Sequence, residues 1–207
     1  MCCRYYMELS PELRPFVEGA QQSRLYRNNI ARIAKPLTVS GEVFPDSLVP
    51  VIATNRAGEK AVFPMLWGYH IPGIARTIAN ARSETAAEKA AFKDGWATHR
   101  CVIPASWYYE WEHTLTPTGK ARAGAKYAIQ PKAGHTIWLC GIYRLEDGYP
   151  HFVVLTREPG ESIAFIHDRM PLLLPEDCVS RWIDPNANPY VLLASALTDM
   201  AAEKVEA

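Results

Sequence analysis

The sequence predicts an α+β protein built on a mainly antiparallel sheet. Three observations carry that prediction. Short segments rich in Val, Ile, Tyr and Trp recur along the chain, punctuated by Gly, Pro and Asp, the pattern of strands and turns. Helical patterns are fewer and scattered among them. No internal repeat, low-complexity tract or convincing linker divides the 207 residues, so one domain over 1–207 is the expectation.

The elements follow in chain order. Ser10-Pro11-Glu12 is an N-cap followed by Pro at the first helical position, opening a helix towards Gly19. Strands are expected over Pro50–Thr54, Ala61–Tyr69, His99–Pro104 and Ser106–Trp111. Between them, Thr85-Ala86-Ala87-Glu88 has capping-box spacing and predicts a helix ending near Gly95. Thr114 to Ala125 reads as a long hairpin loop. Strands follow over Lys126–Gln130, His135–Tyr143 and His151–Thr156, then a helical turn between Gly160 and His167, and a further strand over Met170–Leu174. Pro175–Ile183 predicts a short helix with an acidic first turn, and Asn188-Pro189 opens a C-terminal helix over 189–204.

Composition narrows the class. Hydrophobic residues are 48% and charged residues 21% of the chain, which is incompatible with wholesale disorder. Lys plus Arg and Asp plus Glu are 22 each, a formal net charge of zero, but the first half is net basic and the second net acidic. A neutral chain can thus still present a basic face. No apolar run approaches the ~20 residues of a membrane span, and the N-terminus lacks an apolar signal region. Five cysteines, at 2, 3, 101, 140 and 178, show no CxxC spacing. Neither a disulfide framework nor a structural zinc site is expected, and a reducing, cytoplasmic setting fits. Cys101 and Cys140 lie in apolar runs and read as buried small hydrophobes.

Five places could carry chemistry. Removal of Met1 would leave Cys2 with a free α-amine beside its thiol, with reference pKa values of about 7.7–8.0 and 8.5. Such an aminothiol condenses with an aldehyde to an imine, which the thiol closes to a thiazolidine; the plain alternative is a frayed terminus. In Asn80-Ala81-Arg82-Ser83-Glu84-Thr85, Asn80 could orient a nucleophile and Arg82 could meet phosphate, or the segment is simply a polar loop. A strand over Tyr108-Tyr109-Glu110-Trp111-Glu112 puts Tyr108, Glu110 and Glu112 on one face; a carboxyl among aromatics could work as a general acid–base or merely be solvated at an edge. In Ile166-His167-Asp168-Arg169-Met170-Pro171, His167 could shuttle protons, or the charged trio could pin a turn. Trp67, before Gly68, could stack on a base or belong to the core.

The order of these elements is more specific than any one of them. Met-Cys-x-Arg at the start, Trp-Gly, Asn-Ala-Arg-x-Glu-Thr, Arg-Cys-Val-Ile-Pro-Ala followed by Tyr-Glu-Trp, and Ile-His-Asp-Arg-Met-Pro together resemble the SOS response-associated peptidase (SRAP) family, from Cys2 to about Ile183. The resemblance implies curved, mainly antiparallel sheets forming an open-barrel-like fold flanked by helices. It implies a basic groove for single-stranded DNA and its junctions with duplex, a monomer, and covalent crosslinking to abasic sites through the N-terminal cysteine. By the same resemblance, Cys2 is the nucleophile, Asn80 positions it, Glu110 handles protons, and His167 assists sugar-ring opening and the reverse reaction. Arg4 and Arg82 would hold phosphate, with Trp67 near the DNA and Thr156 a further DNA-binding candidate. The peptidase label fits removal of Met1, possible by the protein itself, and neither metal nor organic cofactor is implied.

Three departures from the family pattern stand out. Cys3 replaces a usual Gly, Trp107 replaces a Gly ahead of the Tyr-Glu-Trp strand, and Glu42-Val43-Phe44-Pro45 stands for Asn-Val-Ala-Pro. Two other functions compete with covalent capture: a cysteine-dependent peptidase using Cys2 and His167, and a non-covalent DNA-binding module.

Overall fold

The computed structural model describes residues 3–115, 121–134 and 136–206. Its class is the expected one, mixed α+β with curved, mainly antiparallel sheets and flanking helices. Five strands close into a ring: β3 (Leu48–Thr54), β4 (Lys60–Trp67), β6 (Arg100–Ala105), β9 (Ile137–Glu146) and β10 (Tyr149–Arg157). Pairing runs antiparallel from β4 through β3, β6 and β9 to β10, and β10 returns to β4 in parallel through His151↔Leu66 and Phe152↔Trp67. Closure removes exposed strand edges. Two short strands, β5 (Asn80–Arg82) and β11 (Met170–Pro171), add to β10.

A second, five-stranded sheet has the order β12–β8–β7–β1–β2. It comprises β1 (Tyr5–Met7), β2 (Gly41–Val43), β7 (Trp107–Leu115), β8 (Ala121–Pro131) and β12 (Met200–Lys204). The main core lies between the two sheets: Tyr5, Met7 and Tyr108 from one meet Val49, Met65, Trp67, Ile103 and Phe152 from the other. Fully burying such side chains stabilises by about 1.5–3 kcal/mol each. A second core lies outside the ring, where Trp96 and Trp182 pack edge to face at 6.0 Å.

Several helix expectations are corrected. The first helix starts later than expected: Ser10 Oγ accepts the Leu13 N–H at 3.3 Å in the turn ahead of it, but the N-cap position is Leu13, without a side-chain cap, and α1 (Arg14–Gln22) runs through Gly19. A Cβ there would sit 3.3 Å from Val62 Cβ, so Gly19 serves close packing on β4 rather than termination. A second helix, α2 (Arg24–Ile33), follows unforeseen, with Ser23 Oγ accepting the Tyr26 N–H at 3.1 Å. The helix expected from Thr85 is a run of turns, and only α3 (Lys93–Thr98) is helical, with Gly95 inside it. There a Cβ would lie 3.0 Å from Ile142 Cβ on β9, so this glycine too permits contact.

Near the C-terminus the expected helix over 189–204 is replaced by α5 (Pro189–Leu193), capped by Asn188, and by β12. The open edge of β8 supplies backbone partners from Pro131 to Tyr127, and sheet pairing overrides helix propensity. The expected hairpin loop is shorter than 114–125, because β7 and β8 pair out to Leu115↔Ala121. Pro175–Ile183 is helical as expected, a short 3₁₀ turn continuing into α4 (Val179–Ile183). Cys101, Cys140 and Cys178 are buried. No helix among the described residues is long and apolar enough to cross a membrane.

Arg100, only 1% exposed, ties this outer layer together. Its guanidinium donates to the carbonyls of Trp96 and Ala97 at 2.8 Å, Trp182 at 2.7 Å, Ala187 at 2.9 Å, and Asp184. These are carbonyls at the ends of α3 and α4, which the helices cannot satisfy themselves. Lysine has three donors for the same five acceptors. Arg100→Lys is therefore expected to lower stability by about 2–4 kcal/mol, read as a lower urea midpoint at unchanged m-value.

Candidate active site

The site forms where β1, β5, β7 and the segment before β11 meet. β1 enters between β2 and β7 within a few residues of the chain start, pairing Tyr5 with Val43 and Tyr108. The Tyr109 N–H donates to the Arg4 carbonyl at 2.9 Å, which fixes residues 3 and 4 beside Glu110. Cys2 lies outside the described residues. Its neighbour Cys3 accepts from Asn80 Nδ2 at 3.6 Å, so the strand carrying Asn80 reaches the Cys3 thiol. Protein packed around the Cys3 sulfur raises its pKa, while the Asn80 bond and the charge of Arg76 pull it down.

Glu110 and His167 face each other inside. They are 5% and 6% exposed, with His167 Nε2 3.7 Å from Glu110 Oε1. Burial raises the Glu110 pKa above the ordinary carboxyl value. Burial also lowers that of His167, to about 4, so its imidazole is neutral at physiological pH. His167 Nδ1 accepts the Arg169 N–H at 2.9 Å. The Asp168 carboxylate lies 2.7 Å from the same Nδ1, so this nitrogen meets both a donor and an acceptor, while Nε2 is the edge turned to Glu110.

His113 is a further ring in this site. The pairing of β7 with β8 slips between Trp111 and His113, a bulge that re-aims the following side chain. The His113 N–H then donates to the Ile166 carbonyl at 2.9 Å, and its ring lies 3.8 Å from that of His167. Strict alternation over 108–112 gives no hint of this.

Arg169 locks two motifs together. It grips Glu84 through Nη1–Oε1 at 2.9 Å and Nη2–Oε2 at 2.8 Å, and Nη2 also donates to the Thr156 carbonyl at 2.7 Å. The paired guanidinium overcomes partial burial and keeps the Glu84 pKa below normal. The charged trio at 167–169 thus does pin a turn, but to a partner far away in sequence.

The expected DNA-contacting residues divide. Arg82 is exposed on β5. Arg4 is partly exposed; it pairs with Glu42 at 3.3 Å and lies over Phe44 and Trp111 at 4.5 and 4.9 Å. The departure at 42–45 therefore supplies a carboxylate and a ring that orient Arg4. Trp67 and Thr156 are fully buried, so neither offers a surface to DNA as expected. Trp67 instead donates from Nε1 to the Ala79 carbonyl at 2.9 Å and packs on Tyr5 at 5.2 Å, buttressing both Asn80 and Arg4. Trp107 stacks on Tyr6 at 4.5 Å, on the face of β7 opposite Glu110. Arg76, delivered by the loop after β4, escaped the sequence reading, because nothing local marks it.

The Cys3 thiol, a buried acid and an imidazole thus gather at the seam of the two sheets. The chain belongs to the SOS response associated peptidase (SRAP) family, whose profile matches residues 1–207. It is 32% identical over 165 residues to the abasic site processing protein YoaM of Bacillus subtilis, covering 75% of this chain and 68% of that one. Identity to the abasic site processing protein YedK of Escherichia coli is 29% over 129 residues, 58% of this chain and 54% of the other. In fold it is similar to a phage-related protein of Bordetella bronchiseptica, with a TM-score of 0.72 at 20% identity, covering 100% of this chain and 95% of that one. A Bacteroides thetaiotaomicron protein gives 0.71 at 20% identity, covering 99% and 92%.

The low pKa of His167 has a stability consequence. Between the unfolded value of about 6.5 and the folded value of about 4, the unfolded chain binds a proton that the folded chain does not. Stability due to this group is present above that window and is lost as pH falls through it. His167→Gln should therefore lose less stability than the wild type between pH 7 and pH 5, measured by urea denaturation.

Proposed function

We propose that this protein captures abasic sites in single-stranded DNA, including its junctions with duplex, as a covalent thiazolidine at Cys2. The observation that carries the reading is the buried Glu110–His167 pair beside the strand that begins at the N-terminal cysteines, with a raised carboxyl pKa and a neutral imidazole. The names of the relatives YoaM and YedK, abasic site processing proteins, support it.

The chemistry needs proton transfers at two heights. After Met1 is removed, the Cys2 amine adds to the C1′ aldehyde of the ring-opened sugar. Loss of water gives an imine, and the thiol adds to the imine carbon to close the ring. Glu110, with its raised pKa, donates a proton to the departing hydroxyl and, once ionised, accepts the thiol proton. His167 holds a proton on Nε2 for the sugar oxygen during ring opening and for the reverse reaction. Asn80 positions Cys2, and Arg4 and Arg82 hold backbone phosphate. Trp67 and Thr156 contribute from the core by supporting the strands that carry these groups.

A cysteine peptidase mechanism fits less well. It needs an imidazole lone pair directed at the thiol, whereas the Nε2 edge of His167 faces the Glu110 carboxyl at 3.7 Å. Nor would it gain from a free α-amine.

The test is incubation with a single-stranded oligonucleotide bearing one abasic site, followed by a denaturing gel and intact mass. The expected product is a shifted band whose protein mass lacks Met1, absent in Cys2→Ala and after N-terminal acetylation. Glu110→Gln and His167→Ala should slow its formation by about 10²-fold or more while retaining DNA binding. Wild-type rates in both variants would refute the assigned roles. A Cys2→Ala protein with unchanged DNA affinity and products would favour the non-covalent module.

A further inference from the structure

A second cluster of titratable side chains stands apart from the active site, where the loop after β4 crosses the β9–β10 hairpin. We propose that His70, Glu146 and His151 form a site for a divalent transition metal of the Zn²⁺ class.

The three residues converge on one carboxylate oxygen. Glu146 Oε2 lies 3.1 Å from His70 Nδ1 and 3.5 Å from His151 Nδ1. One donor atom from each residue falls within 4.8 Å of the others. With metal–ligand bonds of about 2.0–2.2 Å, the edges of a tetrahedral site are about 3.3–3.5 Å, close to the two distances found. His151 Nδ1–H donates to the Gly68 carbonyl at 2.9 Å; a metal on Nδ1 would replace that proton and leave the carbonyl oxygen at the same corner to provide or border a fourth position.

The surroundings prepare these atoms for a cation. Arg144 donates to Glu146 Oε1 from Nε at 2.9 Å and Nη2 at 2.7 Å, which leaves Oε2 turned towards the imidazoles. The His70 N–H also holds the carboxylate, at 3.1 Å. On the far side of the ring, His70 Nε2 lies 3.4 Å from Asp46 Oδ1. Asp46 is itself held by Thr77 Oγ1 at 3.0 Å. One imidazole thus stands between two carboxylates, and a neutral imidazole has a single N–H for them. The other carboxylate then faces a lone pair unless a second cation is present. A second proton on His70 or a metal on Nδ1 resolves this; with the metal, Nε2–H is left to Asp46, the carboxylate–histidine–metal arrangement of many metal sites.

The donor set selects the metal. Two imidazole nitrogens and one carboxylate suit Zn²⁺, Co²⁺ or Ni²⁺, whereas Ca²⁺ and Mg²⁺ need six or more oxygens. The other His-rich group, His113, His167 and Asp168, belongs to the active site, and its His167 Nδ1 already accepts a backbone N–H. Occupancy at His70 would staple the loop after β4 to the hairpin. That loop carries Arg76 and runs into Asn80, so the metal would stiffen the approach to the thiols.

The test uses the full chain, freed of metal with a chelator and titrated with Co²⁺. The expected result is one equivalent bound, with visible d–d bands of tetrahedral cobalt, no thiolate-to-cobalt charge transfer, and displacement by Zn²⁺. His151→Ala should abolish the bands. His70→Ala, at a more exposed position and therefore tolerant of change, should do the same in a protein whose circular dichroism is unaltered. Asp46→Asn should weaken binding about tenfold or more. Persistence of the bands in both histidine variants, their loss in His113→Ala instead, a charge-transfer band removed by Cys3→Ser, or no saturable Co²⁺ binding would each overturn the proposal.

Discussion

The site depends on how the N-terminal strand is held. A chain end ordinarily frays, because few contacts repay the entropy of ordering it. Here Tyr5–Met7 is not an edge strand but lies inside a sheet, hydrogen-bonded to β2 on one side and β7 on the other. Tyr5 is completely buried between the sheets, against Trp67. The pairing is antiparallel and in register with Tyr108, so its direction and height are both determined. A one-residue slip would send Tyr5 and Met7 to the outer face and expose two core side chains. Residues 3 and 4 are thereby held at a fixed distance from Glu110.

The barrel ring contributes through a different kind of link. Asn80 and Arg82 sit on a three-residue strand too short to be stable alone, and it is held by parallel pairing to β10. Arg169 reinforces that pairing from the other side, joining Glu84 to the Thr156 carbonyl. The same turn presents His167 to Glu110. The clamp and the catalytic candidate therefore share three consecutive residues, 167–169. Desolvation then adjusts both groups in the same sense, towards their neutral forms.

Much of this was legible in the sequence because it rests on local chemistry. Apolar strands such as 50–54 and 151–156 read correctly from β-branched and aromatic runs. The motif residues Asn80, Glu110 and His167 could be singled out because their types and order are specific, and the structure gathers all three around the start of β1. Gly19 and Gly95 misled, since a glycine that ends a helix and one that permits close packing look alike until the facing Val62 or Ile142 is known. Residues 200–204 misled for a related reason: their preference is weak, and the free edge of β8 decides. Trp67 and Thr156 could be linked to the site but not placed, because burial depends on which strands enclose them.

The sequence by itself determined the fold class, the family, and the residue types on which the chemistry rests. These follow from periodicity and motif order, which survive without coordinates. Only the tertiary structure decided that the barrel ring closes, that a bulge sets His113 beside His167, that Arg169 reaches Glu84, and that His70, Glu146 and His151 converge. Each depends on groups brought together by strand pairing across long stretches of chain. The pKa shifts share that origin, since desolvation is a property of the enclosing packing and not of any residue in isolation.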